Sequence, residues 1–365
     1  MKFSIAKEPF LDELQILQGI VEKRNTMPIL ANILMNVREK DIELTGTDLE
    51  VGMRTHLGGE IERAGAITVN GKKIYEIVKS LPEGQTVGVE LKDETIEIRA
   101  GASEFKVLCL AKEDYPQVPD GKFEKGVTLP LQDLKDMIDR VFFAITQEQR
   151  YYLNGALLSL KNRQIELVST DGHRLSYTKK AEDGLKLEKE LSVIVAKKTL
   201  SEIRKFEGET VAFDLDENNL FFQVGPRTLI SRVIESKFPN YQAVIPKDNP
   251  GRLTIAREEL AGAIRRVSLL SAERSKGIKF TIEKNKLRLF SSNPEIGEAR
   301  DRLAVEYKGQ DLEIGFNAQY LLDFLTAVGS EKVVFEIKDE NSAVLLKTEA
   351  DEALTNIYVL MPMKI

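Results

Sequence analysis

Ile42-Glu43-Leu44-Thr45-Gly46-Thr47-Asp48 returns as Ile165-Glu166-Leu167-Val168-Ser169-Thr170-Asp171, and again as Lys286-Leu287-Arg288-Leu289-Phe290-Ser291-Ser292-Asn293. Asp48, Asp171 and Asn293 lie 123 and then 122 residues apart, and Pro116, Pro239 and Pro362 are separated by 123 both times. Three copies of such a unit account for almost all of a 365-residue chain. A unit this long buries its own core, whereas a solenoid repeat of roughly 20 to 50 residues does not. The reading is three like domains, 1–124, 125–250 and 251–365, with boundaries in the turn-rich stretches 121–126 and Asn249-Pro250-Gly251.

The balance of 42% hydrophobic and 30% charged residues is that of a globular protein with no long disordered span. No apolar run approaches the roughly 18 to 20 residues of a membrane helix, and Met1-Lys2-Phe3-Ser4-Ile5 passes straight into an acidic amphipathic segment. A cytoplasmic protein is expected. The single cysteine, Cys109, excludes a disulfide within the chain and a thiol metal cluster, and its apolar setting reads as a small buried hydrophobe. A net charge of −6 argues against static gripping of nucleic acid by charge alone.

Each repeat opens with an amphipathic helix: Phe10, Leu14, Leu17 and Val21 recur at helical spacing, as do Leu134, Met137, Ile138, Val141 and Ile145, and Leu260, Ala263, Ile264 and Val267. Strands carrying the repeated phrase follow. A second helix is expected over Asn70–Leu81, Ala196–Glu207 and Asn317–Val328, with Asn70 and Asn317 at the N-cap. A second strand block closes the unit. Helix, strands, helix, strands with short links imply an α+β domain, two helices packed on antiparallel sheets, whose open edges suit pairing between domains.

On the second helices Lys72, Lys79, Lys198 and Lys205 lie opposite the apolar stripe, and Arg265 faces outward from the fifth predicted helix. One such face alone is an ordinary solvated surface; its recurrence in successive repeats points to an anionic partner. No GxxxxGK[ST], GxGxxG or GxSxG motif occurs, and the only histidines are His56 and His173. No metal and no cofactor are expected. A hydrolase pairing His173 with a nearby carboxylate stays open as an alternative, because such groups meet only in space.

Asp171-Gly172-His173-Arg174-Leu175 reads as a tight turn between strands, although the turn explains only Asp171 and Gly172. Tyr151 and Tyr152, beside Gln147 and Arg150, start a strand or stack on unpaired bases. The C-terminal Tyr358-Val359-Leu360-Met361-Pro362-Met363 is a last edge strand or an adaptable peptide-binding surface.

Leu44-Thr45-Gly46-Thr47-Asp48-Leu49-Glu50, Arg150 to Gly155, Thr170 to Leu175, Phe238-Pro239-Asn240-Tyr241, Ile314-Gly315-Phe316-Asn317 and Val359 to Lys364 resemble the bacterial DNA sliding clamp, the beta subunit of DNA polymerase III. The match runs in order through the whole chain. It implies a DNA clamp fold of three tandem domains and a head-to-tail homodimer closing as a ring around double-stranded DNA. It also implies a non-catalytic processivity factor, nucleoid-associated during replication. The implied partners are the DNA polymerase III alpha subunit, the clamp loader delta subunit, and other polymerases and repair proteins, all through short clamp-binding peptides.

Carried over by residue, the resemblance puts DNA contacts at Arg24, Lys72, Gln147, Tyr151 and Tyr152, to which helix geometry adds Lys198 and Arg265. It puts the partner-peptide pocket at Leu153, Thr170, Gly172, His173, Arg174, Leu175, Pro239, Val244, Asn317, Tyr320, Val359, Leu360, Met361, Pro362 and Met363. The dimer interface falls on Lys73, Phe105 and Val107 against Leu269, Leu270, Glu295 and Glu298. The chain departs from the family pattern at Gln242-Ala243, where basic residues are common, and at Arg300 and Arg302, which interrupt a usually acidic stretch.

Overall fold

The computed structural model describes residues 1–21, 27–124, 126–146, 151–185, 187, 189–349 and 354–364. These form two compact units, one of residues 1–132 and 198–233, the other of 133–197 and 234–365. Among the described residues there are six α-helices: α1 (Lys7–Leu17), α2 (Gly71–Ser80), α3 (Leu131–Phe142), α4 (Lys197–Ile203), α5 (Arg257–Ser268) and α6 (Ala318–Ala327).

In the first unit one antiparallel sheet runs, neighbour by neighbour, through Val127–Pro130, Thr210–Leu215, Asn219–Val224, Arg227–Arg232, Val51–Leu57, Ile42–Thr47, Asn32–Val37, Gly65–Asn70, Ser103–Leu110, Thr95–Ala100, Thr86–Lys92, Lys2–Ala6 and Glu60–Arg63. The strand Arg227–Arg232, from the middle repeat, pairs with Val51–Leu57 of the first. In the second unit Arg174–Ala181, also from the middle repeat, pairs with Thr355–Leu360 of the third, within the sheet Leu191–Ala196, Gly155–Lys161, Gln164–Thr170, Arg174–Ala181, Thr355–Leu360, Val344–Thr348, Lys332–Ile337, Gly251–Ala256 and Glu306–Lys308. Edge-to-edge pairing between repeats is therefore real, and it draws the compact units across the repeat boundaries. A smaller sheet in the second unit orders Gly297–Ala304, Lys286–Asn293, Gly277–Glu283 and Leu312–Asn317.

The repeated phrase ends in the same turn in all three places, and in two of them a serine ties it to the helix. Ser169 Oγ donates to Val141 O at 2.5 Å and Ser291 Oγ to Val267 O at 2.6 Å, each hydroxyl satisfying a carbonyl in the last turn of the repeat's first helix. The first repeat has Gly46 there, where an added Cβ would lie 3.2 Å from both Leu17 Cδ2 and Val21 Cγ1. At the end of the phrase Asp48 Oδ1 accepts from the Glu50 and Val51 N–H groups, Asp171 Oδ1 from His173 and Arg174, and Asn293 Oδ1 from Glu295. This is the Asx turn that its position between two strands calls for.

Helices α1 and α2 pack through Phe10, Leu14, Leu17, Ile74 and Val78, all fully buried. Each such side chain contributes about 1.5–3 kcal/mol relative to an exposed one. The two predicted caps are made: Asn70 Oδ1 accepts from Lys73 N–H at 3.0 Å, and Asn317 Oδ1 from Gln319 and Tyr320 N–H at 2.9 and 3.3 Å. Two expectations need correction. Every repeat opens with a short strand before its helix, Lys2–Ala6, Val127–Pro130 and Gly251–Ala256, where the sequence pattern started directly with the helix. Helix α4 stops at Ile203 instead of reaching Glu207; its last N–H groups switch to tighter turns, Lys205 to Glu202 O and Phe206 to Ile203 O, ahead of Gly208.

Candidate peptide-binding site

The turn at 170–174 and the strand Thr355–Leu360 build a pocket of about 220 Å³ in the second unit. Cross-strand pairing sets Leu175 opposite Val359, so both side chains point to one face and form the apolar floor with buried Leu153. Thr170, Gly172, His173, Met361, Pro239, Tyr241 and Val244 line the pocket around that floor. Gly172 is required for the turn, since its φ of +91° lies in the left-handed region that glycine enters at little cost. Beyond the strand, Met361 N–H donates to His173 O at 3.0 Å and Met363 N–H to Gly315 O at 2.9 Å, so the C-terminal segment is pinned along the pocket.

Arg174 is the buried keystone of the turn, with only 8% of its side chain exposed. Its Nε donates to Asp171 Oδ2 at 2.9 Å, Nη1 to Asp323 Oδ2 at 2.7 Å and Nη2 to Phe143 O at 2.6 Å. The guanidinium also lies 4.1 Å from the Tyr320 ring centroid and 5.3 Å from that of Phe143. Burial pulls its pKa down, but Tyr358 and Asp323 outweigh that and hold it above the usual range, so the group is charged wherever the protein folds. Beside the pocket, Tyr241 stacks on Tyr177 at 5.9 Å, and both hydroxyls donate to Glu166, which also accepts from Lys161 and the Gln164 side-chain amide. Burial, then Glu166, pushes the Tyr177 pKa up, keeping it a neutral donor.

Ten of the sequence-predicted pocket residues come together here: Leu153, Thr170, Gly172, His173, Arg174, Leu175, Pro239, Val244, Val359 and Met361. Five do not line it. Leu360 is fully buried in the core on the opposite face of its strand; Asn317 caps α6; Tyr320 stacks on Arg174; and Pro362 and Met363 follow the lining residues along the tail. Tyr152, expected at DNA, is among the residues lining the pocket. Asn240 and Tyr241 were missed as lining, although they stand in the quoted string Phe238-Pro239-Asn240-Tyr241; the signal was their direct succession to Pro239. Gln242 and Ala243 are exposed on the short turn Tyr241–Ala243.

Arg24, Gln147 and the Tyr151 side chain lie outside the described residues. Lys72 is exposed and 3.7 Å from Glu76. Lys198 is not a free cation: its Nζ pairs with Asp48 and donates to Ile20 O at 3.1 Å. Arg265 is exposed on α5. Of the expected interface residues, Lys73 pairs with Glu76 at 2.9 Å, Phe105 and Val107 are half-exposed on Ser103–Leu110, Leu269 is 77% exposed with Leu270 half-buried beside it, and Glu295 and Glu298 are exposed.

His173 offers no hydrolytic arrangement, because among the described residues no serine hydroxyl or carboxylate bonds to its ring. Asp41, Glu43 and His56 each bring a ligand atom within 4.8 Å of the others, yet Arg38 and Arg54 sit on Glu43, 3.1 and 3.8 Å away. No described helix is long and apolar enough to cross a membrane.

Helices on antiparallel sheets, strands paired between repeats and an apolar pocket of about 220 Å³ match the DNA-clamp class of proteins. Models of the DNA polymerase III beta subunit match the chain over residues 1–119 (N-terminal domain), 128–240 (central domain) and 242–364 (C-terminal domain). The beta sliding clamps of Pseudomonas aeruginosa and Escherichia coli are 36% and 35% identical to it, each comparison covering 100% of both chains. Solved sliding clamps from Pseudomonas aeruginosa and Caulobacter crescentus superpose with TM-scores of 0.94 and 0.93 at 34% identity, again over 100% of both chains. The chain belongs to the DNA polymerase III beta-subunit family, the sliding clamps, which are non-catalytic processivity factors.

Proposed function

We propose that two copies of the chain close head to tail into a ring around duplex DNA, and that the pocket at Leu175 and Val359 holds a short extended peptide from the replicative polymerase, the clamp loader or other DNA-processing proteins. The observation that carries the reading is the pocket itself: an apolar floor flanked by a pinned C-terminal strand, suited to apolar peptide anchors. Relatives have been solved bound to griselimycin, from Pseudomonas aeruginosa and Bartonella birtlesii. Three domains near 1–124, 125–250 and 251–365 would give the ring six.

Topological holding reconciles the fold with a charge of −6, since a threaded duplex needs only weak, sequence-independent phosphate contacts. Lys72 and Arg265 are exposed and suited to them; Arg24, Gln147 and Tyr151 join on the strength of the resemblance, and Lys198 only if its pair with Asp48 opens. The working place is the cytoplasm, at the nucleoid. The test is to load the labelled protein onto a nicked circular plasmid with its clamp loader and then cut the circle. Release on cutting supports the ring; retention on the linear form, or loss from the intact circle at the same rate, refutes it.

A further inference from the structure

Of the described strands with a free edge, two carry residues expected at the interface, Phe105 and Val107 on one and Glu298 on the other. Ser103–Leu110 pairs with Thr95–Ala100 along one side, but on the other it meets Gly65–Asn70 only at Cys109 and Leu110. Gly297–Ala304 pairs with Lys286–Asn293 alone. Each strand has a sorted pair of faces. Phe105 and Val107 stand opposite fully buried Ile98 and Ile96, so Glu104, Lys106 and Leu108 point away from the core. On the other strand Asp301 turns toward α5, where Arg266 bonds it at 2.6 Å, leaving Glu298, Arg300 and Arg302 outward.

Joining these edges between copies requires outward residues to face outward residues, so the register moves only in steps of two. With Glu104 opposite Glu298 the carboxylates repel; with Glu104 opposite Arg302, Lys106 meets Arg300. A parallel alignment that keeps Glu104 beside Arg300 sets Lys106 against Arg302. Only the antiparallel register Glu104–Arg300 also brings Lys106 to Glu298, and it places Leu108 against Ile296. Those last two are among the most exposed large apolar side chains described, at 80% and 59%. On the inner face Phe105 then meets Ala299 and Val107 meets Gly297, which has open space beside it.

We infer that the head-to-tail contact is registered by Glu104–Arg300 and Lys106–Glu298 across copies, with Leu108 capping Ile296. The inference rests on the ring reading and names the lock within it. Glu298 lies 2.9 Å from Arg300 and Arg99 3.6 Å from Glu104, exposed pairs that exchange readily, while Lys106 lies 3.5 Å from buried Glu97, which keeps Lys92 and Arg99 when Lys106 turns to Glu298.

The test is a charge-swap cycle in sedimentation velocity on the full chain at low salt: wild type, Glu104→Arg, Arg300→Glu and the double variant, with circular dichroism confirming the fold of each. Each single change should weaken dimerisation about fivefold to tenfold, and the double should return to within about threefold of wild type. A double variant as weak as the product of the singles, or singles indistinguishable from wild type, refutes the register while leaving a dimeric ring intact. A wild type that is monomeric from nanomolar to tens of micromolar overturns the ring reading and the register with it.

Discussion

Replacing Arg174 by Ala should unfold the second unit at a markedly lower temperature, through architecture more than through lost peptide contacts. The side chain donates to Asp171, Asp323 and the Phe143 carbonyl and is stacked between two rings. Removing one partner of a buried pair costs about 3–5 kcal/mol, because the charge left behind has lost both its partner and its water. Here Asp171 and Asp323 keep 14% and 22% of their side-chain surface and can rehydrate in part, which favours the lower end, about 3 kcal/mol. In a unit of this size each kcal/mol moves Tm by about 2–4 °C, giving a drop of about 6–12 °C. Arg174→Lys should recover less than half, since an ammonium cannot supply the planar fork. Differential scanning calorimetry decides. A drop below about 2 °C, or a lysine variant equal to wild type, refutes the reasoning; weaker peptide binding with an unmoved transition would assign the guanidinium to recognition instead.

The Asn317→Ala variant should lose about 1 kcal/mol by urea titration with an unchanged slope, since two N–H groups of α6 lose their acceptor. The Cys109 thiol, pushed up to about 11 by burial, should alkylate at pH 8 about a hundredfold more slowly than in the urea-denatured chain. Because the folded value is the higher one, the contribution of Cys109 to stability is full below about pH 9 and is lost as pH climbs toward 11. Equal native and denatured alkylation rates would contradict this.

The parts of the fold set by local chemistry were legible in sequence. The helical stripes, the caps at Asn70 and Asn317 and the Asx turns each depend on residues a few positions apart, and the period shows because such local phrases recur. The opening strands were not, because four to six residues such as Lys2–Ala6 carry too short an alternation to stand apart from the helix behind them. At the site, the resemblance named residues of the turn and tail that line one pocket, but not the direction of each side chain. Val359 and Leu360 are adjacent and equally apolar, yet strand alternation sends one to the pocket and the other into the core. Tyr241 reaches the wall only because Glu166 and Tyr177, far off in sequence, hold its hydroxyl and ring.

The interleaving of the compact units has a consequence for synthesis. Val51–Leu57 is completed early, but its second neighbour, Arg227–Arg232, is about 170 residues further along. At the roughly 5–20 residues per second of translation, that strand waits about 10–30 s with one edge bare. Arg54 and His56 lie along it, and charged or polar side chains on an edge are how a waiting strand avoids the wrong neighbour. The order of synthesis thus leaves this strand's second edge to be covered last, with Arg54 and His56 among its charged and polar side chains until then.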